Sequence, residues 1–285
     1  MEFNKYSLLV FLILILGSNK DCIAQDNLMI SKLKGKVKTI KESSYIAIEK
    51  NGQLITGDRK RELFYVRDFL IFFNEQRKVI EYIEFDSVSH IYSKIINKCD
   101  SIGSIIITKK YDKCDSILYK INYKYETAGN LIEQIEYNSD LIQNGRINFL
   151  YDLTGKLIEK NYYKTTYNLH VKSKYKYNSK GYQIEYESNS TDSLFNLKTI
   201  SIFDRNDNKI RENWYKEDGS FSFKETYSYD NKGNVLKYLS YNFDNKIDKK
   251  VTYKYEFDKE RNWNKQIVSI NNKKRYIIIR EIEYF

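Results

Sequence analysis

An aromatic residue, replaced once by cysteine, returns every 26 residues along this chain, at Phe73, Cys99, Tyr125, Tyr151, Tyr177, Phe203, Tyr229 and Tyr255, each time just before a short polar turn. A fixed period of this length marks stacked supersecondary units that bury their apolar faces only on one another. Within one unit, Ile121, Tyr123 and Tyr125 alternate with Asn122 and Lys124, the period of two expected of a strand with one dry face. The following arm alternates less cleanly, with Leu131, Ile135 and Tyr137 on one side and Ile132, Gln134 and Glu136 on the other. Each unit therefore reads as an antiparallel hairpin.

The turns explain how the arms are joined. Asp152 with Gly155, Asn178 with Gly181 and Asp230 with Gly233 place an Asx residue first and glycine fourth. Asp and Asn side chains accept from backbone amides two residues on, and glycine takes the positive φ that closes a type I turn with a bulge. The copy at Phe203-Asp204-Arg205-Asn206-Asp207-Asn208 puts Asp where the others have glycine, and Asp tolerates that region. At the opposite ends of the strands the links vary more, as in 187–192 and 215–220, and variable links are where binding is commonly carried. A further turn is expected at Lys50-Asn51-Gly52, after the strand-like run Val37 to Ile48.

Composition agrees: 27 tyrosines favour strands, and the lack of any proline leaves every backbone N–H free for a ladder. The expected fold is all-β, a long antiparallel meander of about 16–18 strands. So long a sheet should curl, into a shell or an elongated strip. Residues 1–24 read as a secretory signal peptide, with Lys5, nine apolar residues from Leu8 to Leu16, and Cys22-Ile23-Ala24 before the cleavage point. Residues 25–285 then form one repeat domain, with the irregular 257–285, which includes Trp263, as its terminal cap.

The Tyr-Asp-x-x-Gly copies at Tyr151 to Gly155 and Tyr229 to Gly233 resemble the YD repeats of the RHS family. Together with Leu33 to Lys38, Asn262 to Lys265 and Arg280 to Tyr284, they also resemble uncharacterised exported repeat proteins of Bacteroidetes type. The resemblance, over about residues 30 to 285, implies a strand shell with a structural or binding role and no catalytic residues.

No catalytic, cofactor-binding or metal-binding residue stands out. His90 and His170 lack a neighbouring acid at base or ligand spacing, and no phosphate loop, His-Glu-x-x-His or nucleophile elbow is present. Cys99 and Cys114 share the string Lys-Cys-Asp-Ser-Ile, but the repeat puts them at opposite ends of a strand, about 30 Å apart, where a disulfide needs Cα atoms within about 7 Å. The turn carboxylates Asp152, Asp204, Asp230 and Asp258 are read as turn formers, because calcium needs several converging oxygens. The net charge of +10 is spread among interspersed Lys and Glu, which fits a solvated face.

The expected function is a non-catalytic exported cell-envelope protein, periplasmic, on the cell surface or secreted. It would bind an unidentified macromolecule or glycan, not nucleic acid, without cofactor or stable membrane insertion. The alternative is an outer-membrane β-barrel, which the even strand number and aromatic richness suit. Glu133 and Glu159, among apolar positions of their strands, count against it.

Overall fold

A computed structural model describes residues 32–59 and 68–285. The expected signal peptide lies outside the described residues. Nineteen strands form one antiparallel sheet. They are β1 (Val37–Lys50), β2 (Gln53–Arg59), β3 (Asp68–Phe73), β4 (Val79–Phe85), β5 (Ile91–Cys99), β6 (Ile105–Asp112) and β7 (Ile117–Tyr125). Next come β8 (Leu131–Tyr137), β9 (Gln143–Tyr151), β10 (Leu157–Lys164), β11 (Leu169–Tyr177), β12 (Gln183–Ser190) and β13 (Leu197–Phe203). The last six are β14 (Lys209–Lys216), β15 (Phe221–Tyr229), β16 (Val235–Tyr241), β17 (Ile247–Phe257), β18 (Trp263–Ile270) and β19 (Lys273–Tyr284).

The sheet closes on itself. β1 pairs along one edge with β19, from Val37 opposite Tyr284 to Ile46 opposite Tyr276. Along its other edge it pairs with β3 and then β2, which share one column. The result is a barrel of eighteen columns, which corrects the expected open shell or strip. Residues 257–285, expected to cap the array, supply β18 and β19, and β19 is hydrogen-bonded on both edges.

The repeat sets the geometry of closure. Tyr82 lies opposite Ile71 and Ile95, Thr108 opposite Asn97 and Ile121, and Gln134 opposite Tyr123 and Ile147. The hydrogen-bonded path from Tyr82 runs through Ile95 to Lys110, whereas the repeat equivalent of Tyr82 is Thr108, so each unit from β4 to β16 steps two residues along the axis. A step of one residue per strand tilts strands by about 36°. With columns about 4.8 Å apart, the wall then encloses roughly 30 to 35 Å, several times the ~10 Å at which sheets pack face to face. Accordingly, each apolar cluster is built from neighbouring strands: one on β1, β3, β4 and β5, others on β9 to β11, β11 to β13, and β17 to β19.

One face carries nearly all the burial. Ile71, Val171 and Val251 are fully buried, while Lys124, Leu150 and Lys176 on the other face are exposed. Side chains converge on a concave wall and splay on a convex one, so the buried face is the inner one. The second arm of each hairpin enters this pattern through a bulge: Tyr125 pairs with Leu131 and Lys124 with Glu133, leaving Ile132 as the extra residue. The bulge resets the alternation, so Gln134 and Glu136 point inward and Ile135 and Tyr137 outward, which the sequence period alone does not show.

Eight turns of identical hydrogen bonding lie at one rim, where both ends of the barrel also meet; we call it the terminal rim. The links at the other end form the distal rim. At the terminal rim Tyr125, Tyr151, Tyr177, Tyr229 and Tyr255 each donate their hydroxyl to the carbonyl twenty residues earlier, at 2.7 to 2.8 Å. Those carbonyls open the adjacent strand of the preceding hairpin, beyond the last ladder bond, so the tyrosine satisfies a group that would otherwise be left at a fraying seam. This is the physical meaning of the 26-residue aromatic signal.

Tyr151→Phe and Tyr177→Phe should each lower stability by about 1 kcal/mol in urea unfolding, the net worth of a typical hydrogen bond. Phe203→Tyr, which places a hydroxyl at the matching step toward the Gln183 carbonyl, should raise it. At the closing seam, buried Arg280 donates to Glu42 at 2.8 Å and lies over Trp263. Arg280→Met should cost about 3–5 kcal/mol and speed amide exchange in β1 and β19 ahead of the other strands.

Candidate functional site

The inner wall is the surface on which the fold concentrates its unusual chemistry. Polar and charged residues interrupt its apolar clusters at repeat-related positions. Glu84 accepts from Ser93 at 2.8 Å, Thr108 donates to Asn97 at 2.6 Å, and Glu136 accepts from Lys164 at 2.8 Å. Farther round, Ser201 donates to Glu212 at 2.9 Å, while Glu225 accepts from Tyr227 and Tyr238 at 2.8 and 2.7 Å. Lys160 is also buried here, flanked in register by Phe149 and Ser173. Buried polar groups persist only when hydrogen-bonded, and cross-strand register supplies those partners.

Aromatic rings fill the intervals. Tyr175 and Tyr186 face one another across β11 and β12 with centroids 5.4 Å apart, Trp214 stacks on Phe223 at 4.9 Å, and Tyr227 meets Tyr238 at 5.5 Å. The wall thus alternates flat rings with carboxylates, a composition suited to binding polyhydroxylated or extended polar chains. Alternation alone does not single out Glu42, Glu84, Lys160 and Arg280 as inward. The 26-residue step relates Glu84 to Lys110 and Glu136, and Lys160 to Gln134 and Thr108, once the bulge has been placed, whereas Glu42 and Arg280 lie outside the repeat at the closing seam.

The residues singled out from the sequence lie elsewhere. His90 sits in the distal turn after β4, with the Asp86 carboxylate 3.6 Å from Nδ1, so an acid does neighbour it, contrary to expectation. That pair is solvent-exposed and its Asp86 Oδ1 is engaged by the Val88 and His90 amides. His170 lies on the outer wall, stacked on Tyr163 at 4.4 Å. Cys99 closes β5 at the terminal rim and Cys114 lies in the distal turn between β6 and β7; both are free thiols. Among the described residues no cluster of three or more His, Cys, Asp or Glu gathers as a metal site.

The turn carboxylates act on the backbone. Asp152 Oδ1 accepts from the Thr154 and Lys156 amides at 2.8 and 3.0 Å, and Asp204 and Asp230 repeat the arrangement. The Thr154 hydroxyl and the two amides hold the Asp152 carboxyl below the usual range, and the Asn208 amide does the same for Asp204.

Charged residues are interspersed over the outer wall among apolar ones such as Ile83, Ile96, Ile135 and Leu150. Glu159, Lys174, Glu187 and Lys198 stand in one register row across four strands, alternating in sign. Lys172 reaches Glu159 at 2.9 Å, and Glu185 is shared by Lys176 at 2.7 Å and Lys198 at 3.1 Å. Glu133 pairs with Arg146 on the same wall. Where β12 and β13 part near the distal rim, a groove of about 450 Å³ opens between Glu187, Lys198 and Tyr215.

No family model matches this chain, and no curated protein matches it. Among solved structures, a porin-like protein from Bacteroides uniformis is similar at 7% identity and a TM-score of 0.43, covering 88% of this chain and 98% of that one. A putative outer membrane lipoprotein-sorting protein domain from Vibrio parahaemolyticus is similar at 10% identity and 0.29, covering 92% and 90%. A DUF1329 family protein from Desulfovibrio piger is similar at 9% and 0.27, covering 90% and 89%. Likenesses of this degree assign no function.

The resemblance to RHS-type YD repeats is corrected by the closed fold. The wall closes through β1 and β19 instead of running on as a repeat strip. The Tyr-Asp-x-x-Gly string is what a tyrosine seam bond and an Asx turn require locally, so it arises wherever such hairpins stack.

Because the turn carboxyls titrate lower in the folded chain than in the unfolded one, they add stability above the ordinary carboxylate pKa and lose it as pH falls through their depressed values. The melting temperature should therefore hold from pH 7 to 5 and drop below about pH 4. The deficit of an Asp152→Ala, Asp204→Ala variant should be largest near neutrality and shrink by pH 2.5; a constant deficit would rule the linkage out.

Proposed function

We propose that the protein is a non-catalytic β-barrel of the cell envelope that stands in water and holds an extended polar ligand, a glycan or another macromolecule, against its tyrosine- and carboxylate-lined inner wall. The supporting observation is the charge on the outer wall. A lipid-embedded barrel turns an apolar band outward. This barrel places Ile71, Val171 and Val251 inside and the row Glu159, Lys174, Glu187, Lys198 outside. At ~2–4 kcal/mol for each Lys or Arg near a bilayer midplane, Lys172, Lys174, Lys176 and Lys198 alone would cost on the order of 10 kcal/mol, comparable to the whole stability of a domain.

Closure favours the second reading, an outer-membrane β-barrel, over any open strip, because a spanning sheet has to be edgeless. The two readings separate on handling. Residues 25–285, produced without the leader, should remain dispersed and folded in buffer without detergent. Recovery only in detergent, with gel mobility that changes on heating, would decide for the membrane-spanning barrel.

A further inference from the structure

The two rims are built from the same turns and differ in what they show to solvent. Five distal turns repeat the terminal hydrogen-bond pattern, at 86–90, 112–116, 138–142, 216–220 and 242–246. Hairpin chemistry therefore asks for the same polar residues at both ends. At the terminal rim, among the described residues, Ile102 and Leu153 stand exposed in the turns and Phe285 beside them. At the distal rim they recur around the circumference: Val88 is 66% exposed, Ile142 62%, Tyr167 75% and Phe243 70%, with Tyr92 and Leu141 beside them. The β1–β2 hairpin adds exposed Ile46, Ile48 and Ile55 on one face of its ribbon.

Leu141 shows that these side chains are held against local preference. It occupies the left-handed position, φ 60°, that glycine fills in the turn at 216–220 and Asn245 in the turn at 242–246. A γ-branched residue is disfavoured there, and its side chain is half exposed and gains little from burial. An apolar medium outside the protein would favour leucine there.

The shape of the surface identifies that medium. The apolar tips lie on a ring roughly 30 Å wide around an open mouth, spaced by polar turns, and do not merge into one patch that a compact protein would cover. A ring of separate aromatic and aliphatic tips matches a planar, laterally fluid apolar phase, the boundary between lipid headgroups and acyl chains, where Tyr and Phe are favoured. The sector around Phe243 is also basic. Residues 49–50, 242–249 and 271–275 carry six Lys or Arg against three Asp or Glu, and Lys273, Lys274 and Arg275 are exposed side by side. Basic residues near the surface attract anionic headgroups, adding to apolar insertion.

We infer that the distal rim docks the barrel mouth-down on an anionic phospholipid surface, with Phe243, Tyr167, Ile142 and Val88 entering the headgroup boundary while the charged wall stays in water. The inference rests on the water-standing barrel proposed above, and the handling test decides that point before any lipid is added.

The free thiols suit the test, because Cys114 lies in a distal turn. The mature chain, residues 25–285, carrying Cys99→Ser is labelled at Cys114 with a polarity-sensitive fluorophore. A second form carrying Cys99→Ser, Cys114→Ser and Leu153→Cys reports from the terminal rim. Vesicles of phosphatidylcholine containing phosphatidylglycerol should blue-shift the Cys114 label and allow its quenching by spin-labelled lipid, while leaving the terminal label unchanged. Phosphatidylcholine alone should bind more weakly. Phe243→Ser with Ile142→Ser should reduce partitioning by about tenfold or more, given the apolar area removed. Leu141→Asn should raise the melting temperature while weakening partitioning, two opposite changes that a purely structural leucine would not produce. Equal response of both labels, indifference to phosphatidylglycerol, or no vesicle binding with concentration-dependent rim-to-rim dimers in sedimentation would overturn the inference.

Discussion

Backbone hydrogen bonding between the first and last strands is the interaction on which everything else depends. Eighteen columns laid out flat would leave two long edges of unpaired N–H and C=O groups, open to pairing with other chains. Joining β1 to β19 removes both. Closure is eased because the units from β4 to β16 all make the same two-residue step, so the errors that would misalign an irregular sheet do not accumulate along them. The seam is reinforced where it is most demanding: Arg280 and Glu42 bond across it, and Asn262 takes up both the amide and the carbonyl of Lys34 at the terminal rim.

Once closed, the barrel separates two solvents. The inner wall shelters apolar side chains without filling its centre, since walls roughly 30 Å apart cannot interlock their side chains. Its stability therefore comes from many local packings between adjacent strands and from ladders, not from one central core. This explains the abundance of tyrosine. A ring covers a wide stretch of neighbouring strand, and its hydroxyl reaches a carbonyl that a shorter or apolar side chain would leave unpaired.

Much of this was legible in the residues. The 26-residue spacing, the Asx-first turns and the absence of proline led directly to an antiparallel hairpin meander, and Asp207 takes the positive φ expected of it, at 65°. Closure was not legible, because it depends on a pairing between residues some 240 positions apart that no local pattern announces. The inward placement of Gln134 and Glu136 was hidden by the bulge after each turn, which shifts the phase of a two-residue alternation. The Tyr-Asp-x-x-Gly string misled for a related reason. It encodes a turn and a seam bond, and those serve closed and open arrays alike.

The constant stagger has a consequence for how such a wall can change. Copying or losing one 26-residue unit alters the number of columns by two while leaving every remaining register intact, so the bore widens or narrows and the height stays the same. Single-strand insertions would instead reverse the direction of the chain at the seam and forbid antiparallel joining. A protein written in this way inherits an aperture that varies in discrete sizes, each reachable from the last by one duplication.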